Sequence, residues 1–114
     1  MKGFFKFGSP FIKLHFEGKE IDFLLDTGFN GYLVIPKSIS KNFQLEKIGM
    51  SDYVTASGDG KLADVYLGKL NFFNEEMKVP VLIINSNFAL IGMEMFDNCK
   101  IIIEKSKQFV EVIK

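Results

Sequence analysis

The pattern of apolar and polar residues along the chain is that of short β-strands. Over residues 4–16 the two kinds alternate, which places Ile12, Leu14 and Phe16 on the buried face of a strand. Ser9-Pro10 marks a break between this strand and a shorter one before it. Further strands, with turn residues between them, are predicted over 21–25, 32–35, 45–57, 61–67, 67–73, 77–84, 100–104 and 108–113.

Helices are predicted at two places and both are short. Pro36 suits the first position of a helix, so a weak helical turn is expected over 37–43. Residues 93–98 predict a helix of two turns in the C-terminal half. Many short strands with turns between them indicate a mainly β fold of the barrel or sandwich type.

One strand ends in an unusual way. Phe23, Leu24 and Leu25 form the continuous apolar run that is typical of a strand buried on both faces. Asp26-Thr27-Gly28 follows at once, and these residue types also form ordinary solvated turns. The position nevertheless delivers a carboxylate to the mouth of a buried region, where carboxylates do chemistry.

Two predicted strands, 45–57 and 61–67, are joined at Gly58-Asp59-Gly60. The glycines suit the backbone angles of a tight hairpin tip. The arms carry small and polar residues, so little apolar surface holds them down. A hairpin with few buried contacts is expected to move easily.

Composition narrows the class of protein. The chain has 114 residues, of which 47% are hydrophobic, and this predicts a single domain over 1–114 with its own core. The net charge is zero and every basic residue except His15 is a lysine. Without arginine, the side chains that usually read phosphates and base edges are missing, so no nucleic-acid partner is expected.

Other sequence features predict a cytoplasmic protein. Cys99 is the lone cysteine, is interpreted as a small core residue, and suits a reducing compartment. The N-terminus lacks the apolar segment of a signal peptide, and no apolar run is long enough to span a membrane, so no membrane partner is expected. His15 is interpreted as an exposed strand residue.

Several kinds of site are absent from the sequence. Gly60-Lys61 lacks the rest of a phosphate loop, and residues 52–64 do not fit a calcium loop. No serine-hydrolase elbow and no cysteine or histidine pair for zinc is present. No metal and no cofactor are expected.

Asp26 alone cannot be both the general base and the general acid for one bond. Asp22 lies four residues upstream, roughly 13 Å away along an extended strand, which is too far to share a proton. The simplest partner is Asp26 of a second copy, since a two-fold axis places identical residues opposite one another. Such a pair holds one proton between a base that activates water and an acid that protonates the leaving group.

The motif Leu24-Leu25-Asp26-Thr27-Gly28, followed downstream by Leu90-Ile91-Gly92 and a short helix, resembles the retropepsin-like aspartic proteases. The segments Asp26 to Pro36 and Leu90 to Phe96 are most similar to small prokaryotic members. The resemblance implies a mainly β, single-lobe closed β-barrel with one short helix in the C-terminal half. It also implies a homodimer that cleaves a peptide or protein substrate.

The resemblance implies a role for each matching residue. Asp26 would be the catalytic acid and base, Thr27 would hydrogen-bond across the dimer, and Gly28 would let the substrate backbone approach. Leu90, Ile91 and Gly92 would support the loop from behind. Contact with substrate is implied for Phe29 and Asn30 beside the loop and for the flap residues Ala56, Ser57, Gly58, Asp59 and Gly60. The C-terminal strand would join the dimer interface, as in retroviral members.

The sequence departs from the retroviral members at two positions, and the first of them keeps an alternative open. Phe29 stands where retroviral members have a small residue, and Met93 stands where they have an arginine. The first implies a reshaped cleft and the second removes an ionic dimer contact. The alternative is a dimer of the same fold that binds peptides or ligands without cleaving them. A structural β-domain whose Asp-Thr-Gly is only a turn is the third reading.

Overall fold

Strands account for most of the chain, as the sequence predicts. The structure is a computed structural model and describes residues 1–54 and 60–114. Its strands are β1 (Phe4–Lys6), β2 (Ser9–Phe16), β3 (Lys19–Leu25), β4 (Leu33–Pro36), β5 (Glu46–Val54), β6 (Gly60–Phe72), β7 (Glu75–Ile84), β8 (Ala89–Ile91), β9 (Lys100–Glu104) and β10 (Phe109–Ile113). The helices are α1 (Lys37–Ser40) and two single-turn 3-10 helices, Met93–Phe96 and Lys105–Lys107.

Eight strands form one sheet in the order β1-β2-β3-β8-β4-β7-β6-β5. Strand β2 also pairs with β6 through His15 with Asn71 and Phe16 with Leu70. This pairing joins two strands that are far apart in the order, which is compatible with the predicted closed barrel. The predicted mainly β fold class is therefore confirmed.

The middle of this sheet combines parallel and antiparallel pairs. Strand β8 runs parallel to β3, with Leu25 beside Ile91, and antiparallel to β4 on its other side. Strand β4 in turn runs parallel to β7. Strands β3 and β8 thus end side by side, and the residues that follow them emerge together.

Phenylalanine side chains fill much of the core. Phe16 and Phe23 are fully buried, and the ring of Phe16 packs edge-on against Phe43 with centroids 5.2 Å apart. A Cβ at Gly68 would lie 2.5 Å from the Phe16 ring, so the sheet approaches this ring closely. Full burial of one such side chain stabilises the fold by roughly 1.5–3 kcal/mol, so these rings fix the register of β2 and β3.

A second, smaller sheet contains β9 and β10, which pair antiparallel. The N-terminal residues lie along the other side of β10. The Gly3 N–H donates to the Val110 carbonyl at 2.9 Å, and the Val112 N–H donates to the Met1 carbonyl at 2.8 Å. Strand β10 is therefore hydrogen-bonded on both edges, with Val110 and Val112 buried in the core.

The structure refines several predicted elements. The strands expected over 61–67 and 67–73 are one continuous strand, β6. The helix expected over 93–98 is a single 3-10 turn, and residues 89–91 before it are a strand. His15 is exposed, as expected. Cys99 is half-buried against the core; burial raises the pKa of its thiol, an effect that the charge of Lys114 partly offsets.

Within the described ranges, no helix has both the length and the apolar character that a membrane crossing requires.

Candidate active site

Strand β3 carries Asp26 to the edge of the interior. Phe23 and Leu25 are buried, and Leu24 is half-buried. The Asp26 N–H donates to the Ile91 carbonyl at 3.1 Å, which continues the β3–β8 pairing one residue past the strand. Asp26 is half-buried, whereas Thr27 is exposed. The carboxylate therefore stands where the core meets solvent.

A tight turn orients the Asp26 side chain. The Gly28 N–H donates to Asp26 Oδ1 at 3.0 Å, and the Phe29 N–H donates to the Asp26 carbonyl at 3.2 Å. An aspartate that accepts from the N–H two residues later forms an Asx turn. This turn holds one carboxylate oxygen against the backbone. Among the described residues, no hydrogen bond engages the other oxygen.

The chain after β8 supports the loop from behind. The Gly92 N–H donates to the Tyr32 carbonyl at 2.8 Å, the Met93 N–H donates to the Phe29 carbonyl at 2.8 Å, and the Glu94 N–H donates to the Gly31 carbonyl at 3.2 Å. These bonds pair three loop carbonyls with the start of the 3-10 helix. Because buried backbone groups need partners, the loop and this segment form one hydrogen-bonded unit.

Gly92 is required at its position because the loop lies directly against it. A Cβ there would collide with the carbonyl oxygen of Gly31, and it would lie 2.6 Å from Cδ2 of the Phe29 ring. A Cβ at Gly31 would lie 2.5 Å from Cζ of the same ring. The Phe29 ring therefore rests across both glycines. Ile91 is fully buried before Gly92, and Leu90 is half-buried.

The residues predicted to touch substrate differ in how exposed they are. Asn30 is exposed beside the loop, whereas Phe29 is half-buried and packs within its own chain. Gly60 is exposed at the start of β6, where it pairs with Val54 of β5. The other predicted flap residues lie outside the described part of the chain; they are Ala56, Ser57, Gly58 and Asp59.

The lysines of β1 and β2 form ion pairs with Asp22 and not with Asp26. Asp22, on the same strand, is half-buried, and its carboxylate lies 3.1 Å from the Lys13 Nζ and 3.4 Å from the Lys6 Nζ. In the described ranges no ion pair includes Asp26. Nor do these ranges contain a group of three or more His, Cys, Asp or Glu side chains that could hold a metal.

The structure brings together the Asp26 loop and Leu90-Ile91-Gly92, which the sequence placed far apart. Sequence reasoning gave no role to Gly31 or to the carbonyl of Tyr32, although both join the loop to its support. The sequence did contain a signal for Gly31, because it is a second glycine only three residues after Gly28. The role of Tyr32 left no such signal, because a backbone carbonyl is common to every residue.

The chain is similar to known aspartic proteases in sequence and in fold. A family model described as aspartyl protease matches residues 12–95. A retropepsin-like aspartic protease from Rickettsia conorii is 20% identical with a TM-score of 0.64, and the match covers 98% of this chain and 86% of that one. The EIAV protease in complex with the inhibitor HBY-793 is 12% identical with a TM-score of 0.63, covering 76% and 84%. The Simian foamy virus (mac) protease is 17% identical with a TM-score of 0.54, covering 73% and 87%. No curated protein matches.

Proposed function

The chain belongs to the aspartyl protease family and has a retropepsin-like fold, and we propose that it is an aspartic endopeptidase that acts as a homodimer. Each copy contributes one Asp26, and the two carboxylates face each other across a two-fold axis. The observation that carries the proposal is the Asp26 loop itself. It ends a buried strand, it is held by the 3-10 segment, and its carboxylate faces no cation among the described residues.

The chemistry follows from two carboxylates that lie close together. Because like charges at short range resist ionising together, the pair holds a single proton. The ionised carboxylate takes a proton from a water molecule, which attacks the peptide carbonyl. The protonated carboxylic acid then donates its proton to the departing nitrogen. Loss of the shared proton at higher pH removes the acid, so cleavage is faster at acid pH.

The neighbouring residues have proposed roles as well. Thr27 is exposed beside Asp26 and reaches the same loop of the partner, which fixes the distance between the two carboxylates. Gly28 and Asn30 are exposed and border the path of an extended substrate. Strands β5 and β6 lead to the predicted flap, which closes over the peptide. Phe29 sets the position of the loop and touches substrate only through its exposed part.

The experiment that tests the proposal compares two aspartate variants of the same strand region. Asp26→Asn keeps the size of the side chain but removes the acid and base, so we expect kcat for a peptide library to fall by about 10²–10⁴-fold or more. Asp22→Asn is the matched control, because its half-buried carboxylate pairs with Lys6 and Lys13 and makes no hydrogen bond to the Asp26 loop among the described residues. It should retain near wild-type activity.

Equal cleavage by wild type and Asp26→Asn would overturn the proposal, provided that both melt at the same temperature. Wild-type protein that binds peptides between pH 3 and 8 but leaves them intact would instead establish the alternative, a non-proteolytic binding dimer.

A further inference from the structure

We propose that the Glu17 carboxylate is a clasp that fastens β6 to the end of β2, and that Glu17 thereby positions the β5–β6 arm relative to the Asp26 loop. The arm consists of Glu46–Val54 of β5 and residues 60–67 of β6. The inference rests on the proposed function and adds a positioning residue to it. Glu17 takes no part in the chemistry itself.

Two hydrogen bonds join Glu17 to Lys69 of β6. The Glu17 N–H donates to the Lys69 carbonyl at 2.9 Å, and the Lys69 N–H donates to Glu17 Oε2 at 2.6 Å. In an antiparallel sheet, two opposite residues of a hydrogen-bonded pair exchange two backbone bonds in this way. The carboxylate oxygen therefore stands in for the backbone carbonyl of Glu17. A bond to an ionised carboxylate is also stronger than the neutral bond that it replaces.

The turn after β2 explains why a side chain is needed here. Glu17 and Gly18 are the two residues between β2 and β3, and their φ angles are +50° and +80°. Two positive φ angles in a two-residue hairpin loop are typical of a type I′ turn. Because the chain reverses at Glu17, its carbonyl no longer continues the ladder of β2.

The residue type at position 17 is not the one that such a turn favours. Type I′ turns prefer Asn, Asp or Gly, which adopt positive φ at little cost. A residue held in this region against its preference persists where surrounding contacts compensate for the strain. The bond from Lys69 to the end of the long Glu17 side chain is such a contact.

The clasp lies where β6 changes its neighbour. Strand β5 pairs with residues 60–67 of β6, and strand β2 pairs with Leu70 and Asn71. Since β7 occupies the opposite edge of β6 over residues 64–72, β5 and β2 share one edge. The change of neighbour falls at Gly68, and Lys69 is the first residue on the β2 side.

The pairing of β6 with β2 is short. It contains two residue pairs, His15 with Asn71 and Phe16 with Leu70. The bonds between Glu17 and Lys69 lengthen this ladder by one pair in the direction of the arm. Without the carboxylate, only one of the two bonds at Lys69 would remain, at the point where β6 passes from the core to the arm.

The same turn leads to the candidate acid. Strand β3 begins at Lys19, directly after Gly18, and its last residue precedes Asp26. Glu17 therefore links the hairpin that carries Asp26 to the strand that carries the arm. Because β5 and β6 lead to the predicted flap, a shift of β6 at Lys69 should weaken substrate binding more than it slows proton transfer.

The first test is amide hydrogen exchange measured by NMR. Glu17→Asn suits positive φ better than glutamate does, but it removes the carboxylate. We expect the Lys69 amide to exchange about tenfold faster or more in this variant, because a bond to a charged acceptor is lost. The Leu67 amide at the end of the arm should exchange severalfold faster.

Two further variants serve as controls for this measurement. Glu17→Gln keeps an oxygen acceptor on a side chain of the same length, so exchange at Lys69 should stay within about threefold of wild type. Glu20→Gln removes the same charge from the neighbouring strand. Its carboxylate lies near the exposed side chains of Lys13 and His15, and exchange at Lys69 should not change.

Peptide cleavage kinetics separate positioning from a purely structural role. At a temperature where every variant is folded, Glu17→Asn should raise KM about threefold to tenfold and leave kcat within about twofold of wild type. Glu17→Gln should recover most of the wild-type KM. Asp26→Asn should show the opposite pattern, with kcat lost.

Unchanged exchange at Lys69 in Glu17→Asn would overturn the inference, because position 17 would then serve the turn alone. Faster exchange with wild-type KM would overturn the positioning role. A wild-type protein that cleaves no peptide would overturn the proposed function, whereas exchange at Lys69 and Leu67 requires no activity and would still confirm or overturn the clasp.

Discussion

The absence of a side chain at Gly92 lets the Asp26 loop lie against its support. The Gly31 carbonyl occupies the space that a Cβ would need, and the Phe29 ring lies beside it. The Gly92 N–H meanwhile donates to the Tyr32 carbonyl. Any larger residue must push the loop away or break this hydrogen bond.

We therefore expect Gly92→Ala to lower the free energy of unfolding by about 1–3 kcal/mol or more, since forcing atoms into a packed site costs that much. The measurement is urea unfolding followed by circular dichroism. Gly60→Ala is the matched control, because a Cβ at Gly60 would meet no atom of the described residues within 4 Å. Equal unfolding midpoints for the two variants would show that the loop adapts freely.

At this scale the position of Asp26 at the end of a buried strand could be predicted from the sequence, whereas the packing of Phe29 could not. A carboxylate after a continuous apolar run is a local pattern, and one stretch of chain contains it. The contact of the Phe29 ring with Gly31 and Gly92 depends on how β3 and β8 pair, which local spacing does not determine. The predicted contact of Phe29 with substrate stays a prediction.

The pairing and the burial of strand β6 change along its length. Its first residues, 60–63, pair with β5 alone among the described strands, whereas residues 64–67 pair with β5 and β7. Farther along, Leu70 and Phe72 are buried, but Leu62 is 65% exposed. One strand therefore joins the predicted flap to the core.

We expect hydrogen exchange to follow this difference. Amides of residues 61–63 should exchange at least about tenfold faster than those of residues 70–72, because strands with few buried contacts open more easily. Exchange measured residue by residue by NMR tests this expectation. The matched comparison is β2, whose buried residues Phe11, Ile12, Leu14 and Phe16 should exchange as slowly as residues 70–72. Uniform protection along β6 would contradict it.

At the scale of elements, alternation predicted β2 and its buried face correctly, because that pattern is contained in one strand. Strand β8 was missed as a strand since it has only three residues, and its pairing with β3 is parallel and distant in sequence. The split expected within β6 lay at Leu67, but the strand continues through Gly68, where the missing side chain leaves room for the Phe16 ring.

At the scale of the whole molecule, each chain holds half of the proposed site. Specific activity should stay constant at high protein concentration and fall in proportion to concentration below the dissociation constant of the dimer. An activity assay over a dilution series measures this dependence. A single chain that is active alone would instead show no dependence on dilution.

Mixing gives a second measure of the shared site. An equal amount of Asp26→Asn chains should reduce the activity of wild-type chains to about half, since random pairing leaves half of them with an inactive partner. Asp22→Asn chains serve as the control and should not reduce it. Undiminished activity in the presence of Asp26→Asn would place the whole site in one chain.

The contact between Phe29, Gly31 and Gly92 has a consequence for engineering the specificity of the cleft. The three atoms nearest to a Cβ at Gly31 all belong to the Phe29 ring, whereas Gly92 is also blocked by backbone oxygens. A library that varies position 29 toward smaller residues therefore opens position 31 to alanine at the same time, but it never opens position 92. Codons 29 and 31 should be randomised together, and codon 92 should be left as glycine.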